Sequence, residues 1–169
     1  MNIETEHKFL ILMPDAEVLN GLDTSDIVQT YLQSDSGTER VRARTKGGVT
    51  TYTHTVKRRI SKLSSEEDER VITRGEYETL LESRDHDRRT IEKTRTLLPH
   101  EGRVFEIDIY SFWQRVAVME VEVEDEDAEF TIPDGITVIR EVTGEKCFSN
   151  HALSRDIPDE EDLLKNIVD

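Results

Sequence analysis

The sequence lacks features that mark several common classes of protein. It contains one cysteine, Cys147, so the chain cannot form a disulfide within itself, which is typical of a reducing compartment. No apolar run approaches the roughly 20 residues of a transmembrane helix, and the N-terminus carries no signal-peptide pattern. Linkers rich in proline, glycine or serine are also missing. These absences predict a cytoplasmic protein that has no membrane partner.

Basic residues are few compared with acidic ones. The chain has 22 Lys and Arg residues against 37 Asp and Glu residues, a formal net charge of −15. Because a protein that binds the phosphate backbone normally presents a basic field, this balance argues against nucleic acid as a partner. A buried, locally basic site is still compatible with a small anion.

Length and composition predict one domain with a lean core. The 169 residues suffice for one hydrophobic core, and apolar and charged residues each make up 35% of the chain. The acidic stretch 158–169 predicts a tail that frays, so the folded domain is expected to cover residues 1–157. A capping box at Thr73 and Glu76 predicts a helix through Leu81, and short helical turns are expected near 15–19 and 147–153.

Charged residues recur at every second position in strand-like runs. Since side chains alternate across a strand, residues two apart share one face. Three arginines share a face in one run, and acidic pairs share a face in at least three others. The runs cover residues 3–11, 40–44, 51–58, 66–72, 91–97, 105–110 and 119–124.

An ordinary half-exposed antiparallel sheet explains any one of these strands, but it explains the whole set poorly. Like charges that are neighbours on one face repel each other. Closing the sheet into a barrel of about eight strands would place acidic and basic faces opposite each other across a polar interior. The predicted fold is therefore α+β, a closed antiparallel β-barrel with a few flanking helices over its outward apolar faces. Charges enclosed in this way need partners or ions, so a charged ligand is expected.

The residue types indicate which ligand this interior would take. Clustered carboxylates suit a hard cation, Mg²⁺ or Mn²⁺, while arginine forks and lysine ammonium groups suit phosphate oxygens. Both sets together predict a metal-chelated polyphosphate. The histidines show no pair at ligand spacing and are expected to be structural: His7, His54, His86, His100 and His151.

These charged strands resemble, in order, the CYTH domain of the triphosphate tunnel metalloenzymes. E-T-E-H-K at 4–8 is similar to the family's E-x-E-x-K signature, and V-R-A-R at 41–44 is similar to the arginine pair of its next charged strand. The resemblance covers roughly residues 1–157 and is strongest to short, single-domain bacterial members. Further matches are Lys57, the acidic pair Glu67 and Glu69, E-K-T-R at 92–95, E-I-D at 106–108, E-V-E at 120–122 and the closing segment 141–150.

The resemblance implies an eight-stranded antiparallel tunnel in which basic side chains grip phosphates and carboxylates hold one or two metal ions. Lys8 or Tyr31 is the expected base that activates water. Arg42 and Arg44 are also expected to pair with inward carboxylates. The expected substrate-binding residues are Arg40, Arg42, Arg44, Lys57, Lys93, Arg95 and Lys146. The expected ligands of Mg²⁺ or Mn²⁺ are Glu4, Glu6, Glu67, Glu69, Glu106, Asp108, Glu120 and Glu122.

The implied activity is metal-dependent hydrolysis of inorganic tripolyphosphate or of another triphosphate compound. The alternatives are a class IV-type adenylyl cyclase, a thiamine triphosphatase, and a non-catalytic polyphosphate-binding module. A module that only binds could lose the metal carboxylates, which this chain keeps. The oligomeric state is left open, and a homodimer is one of the states expected.

The chain departs from the family pattern at two places. Ser65 stands where relatives usually have an arginine, so one phosphate contact is missing or comes from Arg59, Lys62 or Arg40. Cys147 and Phe148 stand where an Arg-Tyr pair is common. Both departures leave the preferred length of the phosphate chain open.

Overall fold

A computed structural model describes residues 2–165, which form nine strands and four short α-helices. The strands are β1 (Asn2–Leu12), β2 (Asp23–Tyr31), β3 (Thr38–Lys46), β4 (Val49–Arg59), β5 (Ser64–Ile72), β6 (Ile91–His100), β7 (Arg103–Tyr110), β8 (Val116–Glu122) and β9 (Val138–Glu141). The helices are α1 (Ala16–Leu19), α2 (Arg74–Leu80), α3 (Asn150–Leu153) and α4 (Glu160–Leu164), with 3₁₀ turns at Leu81–Ser83 and Lys146–Phe148. None of these helices is both long and apolar enough to cross a bilayer.

Strand β1 closes the sheet into a barrel. The hydrogen-bonded order runs β5-β4-β3-β2-β6-β7-β8-β1, and β1 pairs again with β5. Residues 2–5 of β1 pair with β5, and residues 6–12 pair with β8. Every pairing is antiparallel, and β9 adds to the free edge of the second half of β1. The predicted closed eight-stranded antiparallel barrel is therefore confirmed, with one extra strand outside it.

Side chains alternate between the tunnel and the outer surface along the charged strands. In β3, Arg40, Arg42 and Arg44 line the central cavity, whereas Val41 between them is buried on the outside. On the outer face, Val41 packs with Ile72 in a cluster that α2 covers. A second outer cluster lies on β1, β7 and β8, and it is covered mainly by the loop 128–136 rather than by a helix.

The inward face changes from charged to apolar along β1 and its neighbours. Leu10 lies two residues after Lys8, so both side chains point into the barrel, and Leu10 is fully buried. Phe148 and Leu153 of the closing segment seal this part of the interior. Packed around Leu10 are Ile91, Tyr110, Trp113, Val116, Val118 and Val142. This apolar plug fills one side of the barrel beyond the charged cavity.

Two strands were not predicted from the sequence. β2 presents neutral side chains to the tunnel, so it lacks the charge alternation that marked the other strands. β9 has only four residues, too few for a periodic signal. The predicted helices are present: the capping box of Thr73 and Glu76 opens α2, and short helical turns lie near the two other predicted places.

The acidic tail packs on the barrel instead of fraying from Pro158. The indole Nε1 of Trp113 donates a hydrogen bond to the carbonyl of Pro158 at 3.1 Å. Glu160, at the start of α4, accepts hydrogen bonds from the backbone N–H groups of Gln114 (2.9 Å) and Val116 (3.0 Å). The expected fraying is therefore wrong as far as Lys165, and residues 166–169 lie outside the described part of the chain.

Leu10→Ala tests whether the apolar plug stabilises the fold. Removing a fully buried leucine should lower the free energy of unfolding by about 2–5 kcal/mol, because the plug loses transfer energy and gains a cavity. The matched control is Ile3→Ala on the same strand, since Ile3 is 65% exposed. The control should change stability by no more than about 0.5 kcal/mol in urea unfolding. Equal effects of the two substitutions would contradict the plug.

Candidate active site

A cavity of about 750 Å³ occupies the interior of the barrel. Ten basic and seven acidic side chains line it, so a strongly acidic chain encloses a cavity with an excess of positive charge. The basic residues are Lys8, Arg40, Arg42, Arg44, Lys57, Arg59, Arg88, Arg95, Lys146 and Arg155. The acidic residues are Glu4, Glu6, Glu67, Glu69, Glu106, Glu120 and Asp156.

The three arginines of β3 contact neutral groups. Both Nε and Nη2 of Arg42 donate to the amide oxygen of Gln29, at 3.1 and 2.9 Å. Nε of Arg44 donates to the hydroxyl of Ser25 at 2.9 Å. Within residues 2–165, the ion pairs around the cavity are made by lysines, Arg88 and Arg95, and none involves Arg40, Arg42 or Arg44. Arg88, which also lines the cavity, pairs with Asp85 at 3.3 Å. The expectation that Arg42 and Arg44 pair with carboxylates is wrong, because neither makes an ion pair within residues 2–165.

Burial and the neighbouring guanidinium groups of Arg40 and Arg95 lower the pKa of Arg42 to about 9. Nε of Arg40 is buried and has no hydrogen-bond partner in the described structure. An anion between these side chains would relieve both conditions, because it supplies the missing charge and the missing acceptor.

Asp108 holds two basic side chains in place. Its Oδ2 accepts a hydrogen bond from Nζ of Lys93 at 2.7 Å, and Arg95 donates Nε to Oδ1 at 2.8 Å and Nη2 to Oδ2 at 3.0 Å. These contacts outweigh burial and hold the pKa of Asp108 well below its usual range. Burial lowers the pKa of Lys93 to about 7 against the attraction of Asp108.

The ion triad of Asp108, Lys93 and Arg95 changes two of the predicted roles. Both oxygens of Asp108 are engaged by cationic donors, so Asp108 does not stand free as the predicted metal ligand. The side chain of Lys93 is fully buried and lies outside the set that lines the cavity, so it does not make the predicted substrate contact in this arrangement. Arg95 does line the cavity, and Nη1 also pairs with Glu106 at 3.2 Å. Lys93 and Asp108 thus position Arg95.

Carboxylates gather at one mouth of the tunnel. A space of about 450 Å³ opens there, and it shares Glu4, Glu6, Glu106 and Glu120 with the central cavity. Burial, Glu120 and Glu4 raise the pKa of Glu6 to about 9, and a hydrogen bond links Glu6 to Glu120. Glu122 faces the same mouth. Carboxylates placed this close repel each other, and a cation between them would relieve that repulsion.

The other acidic residues predicted as ligands lie farther round the barrel. Glu67 is hydrogen-bonded to Glu4. Burial of Glu67 and its contact with Glu4 raise the pKa of Glu67 to about 7. Glu69 lines the cavity, but it accepts a hydrogen bond from the hydroxyl of Thr55 at 2.9 Å. Across residues 2–165, no three Asp, Glu, His or Cys side chains converge as a ready-made metal cage. The predicted ligands that share the acidic mouth are Glu4, Glu6, Glu106, Glu120 and Glu122.

Comparison with known proteins places this geometry in a family. A crystal structure of the inorganic triphosphatase NE1496 is 31% identical to this chain, covers 94% of this chain and 99% of its own, and aligns with a TM-score of 0.57. Another structure of NE1496, described as a hypothetical protein, is also 31% identical, covers 92% and 99%, and has a TM-score of 0.58.

The chain belongs to the triphosphate tunnel metalloenzyme (CYTH) family. The PH1819 protein from Pyrococcus horikoshii OT3 has a TM-score of 0.55 at 19% identity and covers 73% of this chain and 80% of its own, which shows the shared fold alone. Scans against family models and against curated proteins returned no match.

The tunnel places the two candidate bases in different environments. Nζ of Lys8 lies 3.3 Å from Glu120 and donates to the carbonyl of Phe148 at 3.3 Å. Burial opposes the charge of Lys8, but Glu120 and Glu6 outweigh it and raise its pKa. The setting is rich in carboxylates, which disfavours the loss of a proton that the predicted role of Lys8 as a base requires. Tyr31 also lines the cavity, where its hydroxyl accepts a hydrogen bond from Nε2 of Gln29 at 3.3 Å.

Two further predicted cations of the tunnel enzyme face the cavity. Nζ of Lys57 lies 3.4 Å from Glu4 and 4.0 Å from Glu67, so this lysine bridges the two acidic strands. Lys146 lines the cavity from the 3₁₀ turn of the closing segment. Both positions agree with the predicted grouping of cations around one ligand.

Residues that sequence reasoning missed hold the basic groups of the tunnel. Gln29 and Ser25 of β2 accept from Arg42 and Arg44, and Oδ1 of Asn150 accepts from Lys93 (3.3 Å) and Tyr110 (2.5 Å). β2 does alternate with a period of two, through Ser25, Ile27, Gln29 and Tyr31. That pattern was the available signal, but it carries no charge.

Asp108→Asn tests the ion triad. Neutralising the carboxylate leaves Lys93 and Arg95 without their anion inside the barrel, which should destabilise the fold by about 3–5 kcal/mol. Glu124→Gln is the control, because Glu124 pairs with Arg103 at the rim of the tunnel, where its side chain is 64% exposed. Urea unfolding of both variants makes the comparison. A loss at Asp108 no larger than the loss at Glu124 would show that the triad does not hold the interior together.

Proposed function

We propose that this chain hydrolyses inorganic tripolyphosphate, or another compound with a triphosphate group, in a reaction that depends on a divalent cation. One observation supports this most directly: among residues 2–165, Arg42 makes no ion pair with an anion and Glu6 makes none with a cation, and both face the same cavity. A polyphosphate carrying a metal ion would supply both missing charges. The family relationship and the activity of NE1496, an inorganic triphosphatase at 31% identity, support the same reaction.

The carboxylates at the acidic mouth suit Mg²⁺ or Mn²⁺. The donors are oxygen atoms only, and Glu6 and Glu120 now share a hydrogen bond where a cation would remove their repulsion. Mg²⁺ keeps several waters and usually takes one or two carboxylates together with substrate phosphates, so a preformed cage of three side chains is not needed. A bound cation would screen the charge of the phosphate oxygens and favour attack by water.

The basic side chains orient the phosphate chain. Arg40, Arg42 and Arg44 follow one another along β3, with about 6.6 Å between alternate residues, and can contact successive phosphates. Lys57 and Lys146 lie on the same cavity. Phosphoryl transfer requires little covalent chemistry from the protein, so this positioning and the fixed positive charge carry most of the rate enhancement.

Tyr31 is the candidate base for the attacking water. Its hydroxyl faces the cavity, while Lys8 is kept protonated by Glu120 and Glu6. We propose that Lys8 instead orients Glu120 and presents positive charge to the reacting phosphate. A cytoplasmic location and a homodimer stay predictions from the sequence.

The first test of the function is metal-dependent hydrolysis. Tripolyphosphate should yield phosphate and pyrophosphate with Mg²⁺ or Mn²⁺, and EDTA should abolish the reaction until metal is restored. Glu120→Gln should weaken cation binding in isothermal titration calorimetry, because one charged ligand is lost. Glu129→Gln, which lies in the loop between β8 and β9, is the control.

A substrate panel separates the alternatives. ATP, thiamine triphosphate and pyrophosphate are assayed alongside tripolyphosphate, with product identification. Cyclic AMP as the main product from ATP would move the chain to the cyclases. Full activity after exhaustive chelation would remove the metal from the proposal, and binding without any turnover would leave a polyphosphate-binding module.

Arg42→Ala tests the phosphate-binding role of β3. The arginine is buried and has only a neutral acceptor, so its loss should remove a charge-assisted contact worth about 1.5–3 kcal/mol, roughly ten- to a hundredfold in kcat/KM. The increase in Tm caused by tripolyphosphate should shrink as well. Arg70→Ala is the control, because Arg70 lies on the outer face and is 57% exposed. The role is disproved if both variants keep the kinetics and the ligand-induced stabilisation of the parent.

A further inference from the structure

Arg59 is the last residue of β4 and lies directly across from Ser65. The last residues of β4 pair with the first residues of β5, and in that register Arg59 faces Ser65. Both side chains line the central cavity. Lys146 and Arg155 line the same cavity, in which basic side chains outnumber acidic ones. The cavity around Arg59 therefore favours an anion.

The charge of Arg59 is not neutralised. Its Nη1 donates to the carbonyl of Lys62 at 2.7 Å and lies 3.5 Å from the carbonyl of Ser61, both in its own hairpin loop. These acceptors are neutral, and Arg59 makes no ion pair with the residues between 2 and 165. The neighbouring arginine is different, because Arg58 points outward and pairs with Glu66 at 2.5 Å.

The short side chain of Ser65 lies between Arg59 and Glu4. Ser65 pairs with Arg59 on one side and with Glu4 of β1 on the other. Neighbouring strands are about 4.8 Å apart, so the backbones of Arg59 and Glu4 are separated by roughly 10 Å with a small hydroxyl side chain between them. A long guanidinium side chain can extend across that gap, where a phosphate near Glu4 would lie.

The other two cations that could supply a contact near Ser65 are placed differently. Lys62 packs its stem against Gly144, where even an added Cβ would overlap it, and it does not line the cavity. Arg40 is buried beside the hydroxyl of Tyr31, on the strand paired with β2. Arg59 combines a free charge with access to the space over Ser65.

We infer that Arg59 is a substrate-binding residue, which leaves its hairpin carbonyls and reaches over Ser65 to contact a phosphate of the bound chain. The inference rests on the proposed function, since it concerns the same substrate. The phosphate contact would then come from β4, because position 65 on β5 is a serine, which carries no charge.

Arg59→Ala and Arg58→Ala form a matched pair that tests this role. Two quantities are measured: kcat/KM for tripolyphosphate with Mg²⁺, and the increase in Tm caused by tripolyphosphate in EDTA. Arg59→Ala should lose about tenfold in kcat/KM, at the lower end for a charge-assisted contact because the side chain is exposed, and its ligand-induced Tm increase should shrink. Arg58→Ala should keep both values of the parent.

The placement over Ser65 is tested by moving the guanidinium to the other strand. The double variant Arg59→Ala/Ser65→Arg should recover most of the lost kcat/KM and Tm increase. A double variant no better than Arg59→Ala would overturn the placement, and identical behaviour of Arg59→Ala and Arg58→Ala would overturn the inference as a whole. A parent protein that is neither stabilised by tripolyphosphate nor able to hydrolyse it would instead disprove the proposed function, so the two failures are distinguishable.

Discussion

Enclosing charge within a closed sheet is the constraint on which the rest of this structure depends. A buried charge is costly unless it has a partner, and the charges enclosed in this barrel differ in how far they are paired. Asp108 pairs with Lys93 and Arg95, and Glu6 shares a hydrogen bond with Glu120. Arg42, by contrast, contacts only a neutral amide. The first arrangement is complete without a ligand, whereas the other two leave like charges close together or a cation without an anion.

The ion triad therefore serves the site indirectly. Arg95 faces the cavity and also lowers the pKa of Arg42 by its proximity. Without Asp108 between them, Lys93 and Arg95 would repel each other at the same level of the barrel. The contacts with Asp108 hold the positive charges of Lys93 and Arg95 in fixed positions. Electrostatic preorganisation requires charges that are fixed in this way before a ligand binds.

A charged interior cannot supply the hydrophobic stabilisation that a domain of this size needs. The barrel obtains it from three apolar clusters, two on the outer faces of the strands and one that plugs part of the interior. β1 serves both purposes, since Lys8 is an inward charge and Leu10, one inward position later, is part of the plug. Function and stability thus occupy successive segments of the same strand faces. On the side of the plug, Glu160 of α4 accepts hydrogen bonds from the backbone N–H groups of Gln114 and Val116.

Strand faces could be predicted from the sequence, but partners across the tunnel could not. Charge alternation located seven of the strands and oriented Arg42 and Glu120 inward, because a period of two is a local property. β2 was not predicted because its inward residues Gln29 and Ser25 carry no charge. Whether Asp108 meets a metal or a lysine depends on the register between β6 and β7, which no local pattern encodes.

The contrast between the whole chain and its cavity gives a physical basis for selecting small, linear anions. The net charge is −15, yet the cavity lining holds ten basic side chains against seven acidic ones. A large polyanion would have to lie along the acidic exterior, where unscreened repulsion acts over about 8 Å at physiological salt. A short phosphate chain can be enclosed entirely, so it meets the positive interior and avoids the outer field. Enclosure also removes water from around the arginines, which would strengthen each of their contacts with a bound anion. The closed barrel thereby separates an acidic exterior, which repels a large polyanion, from a basic interior, which attracts a short one.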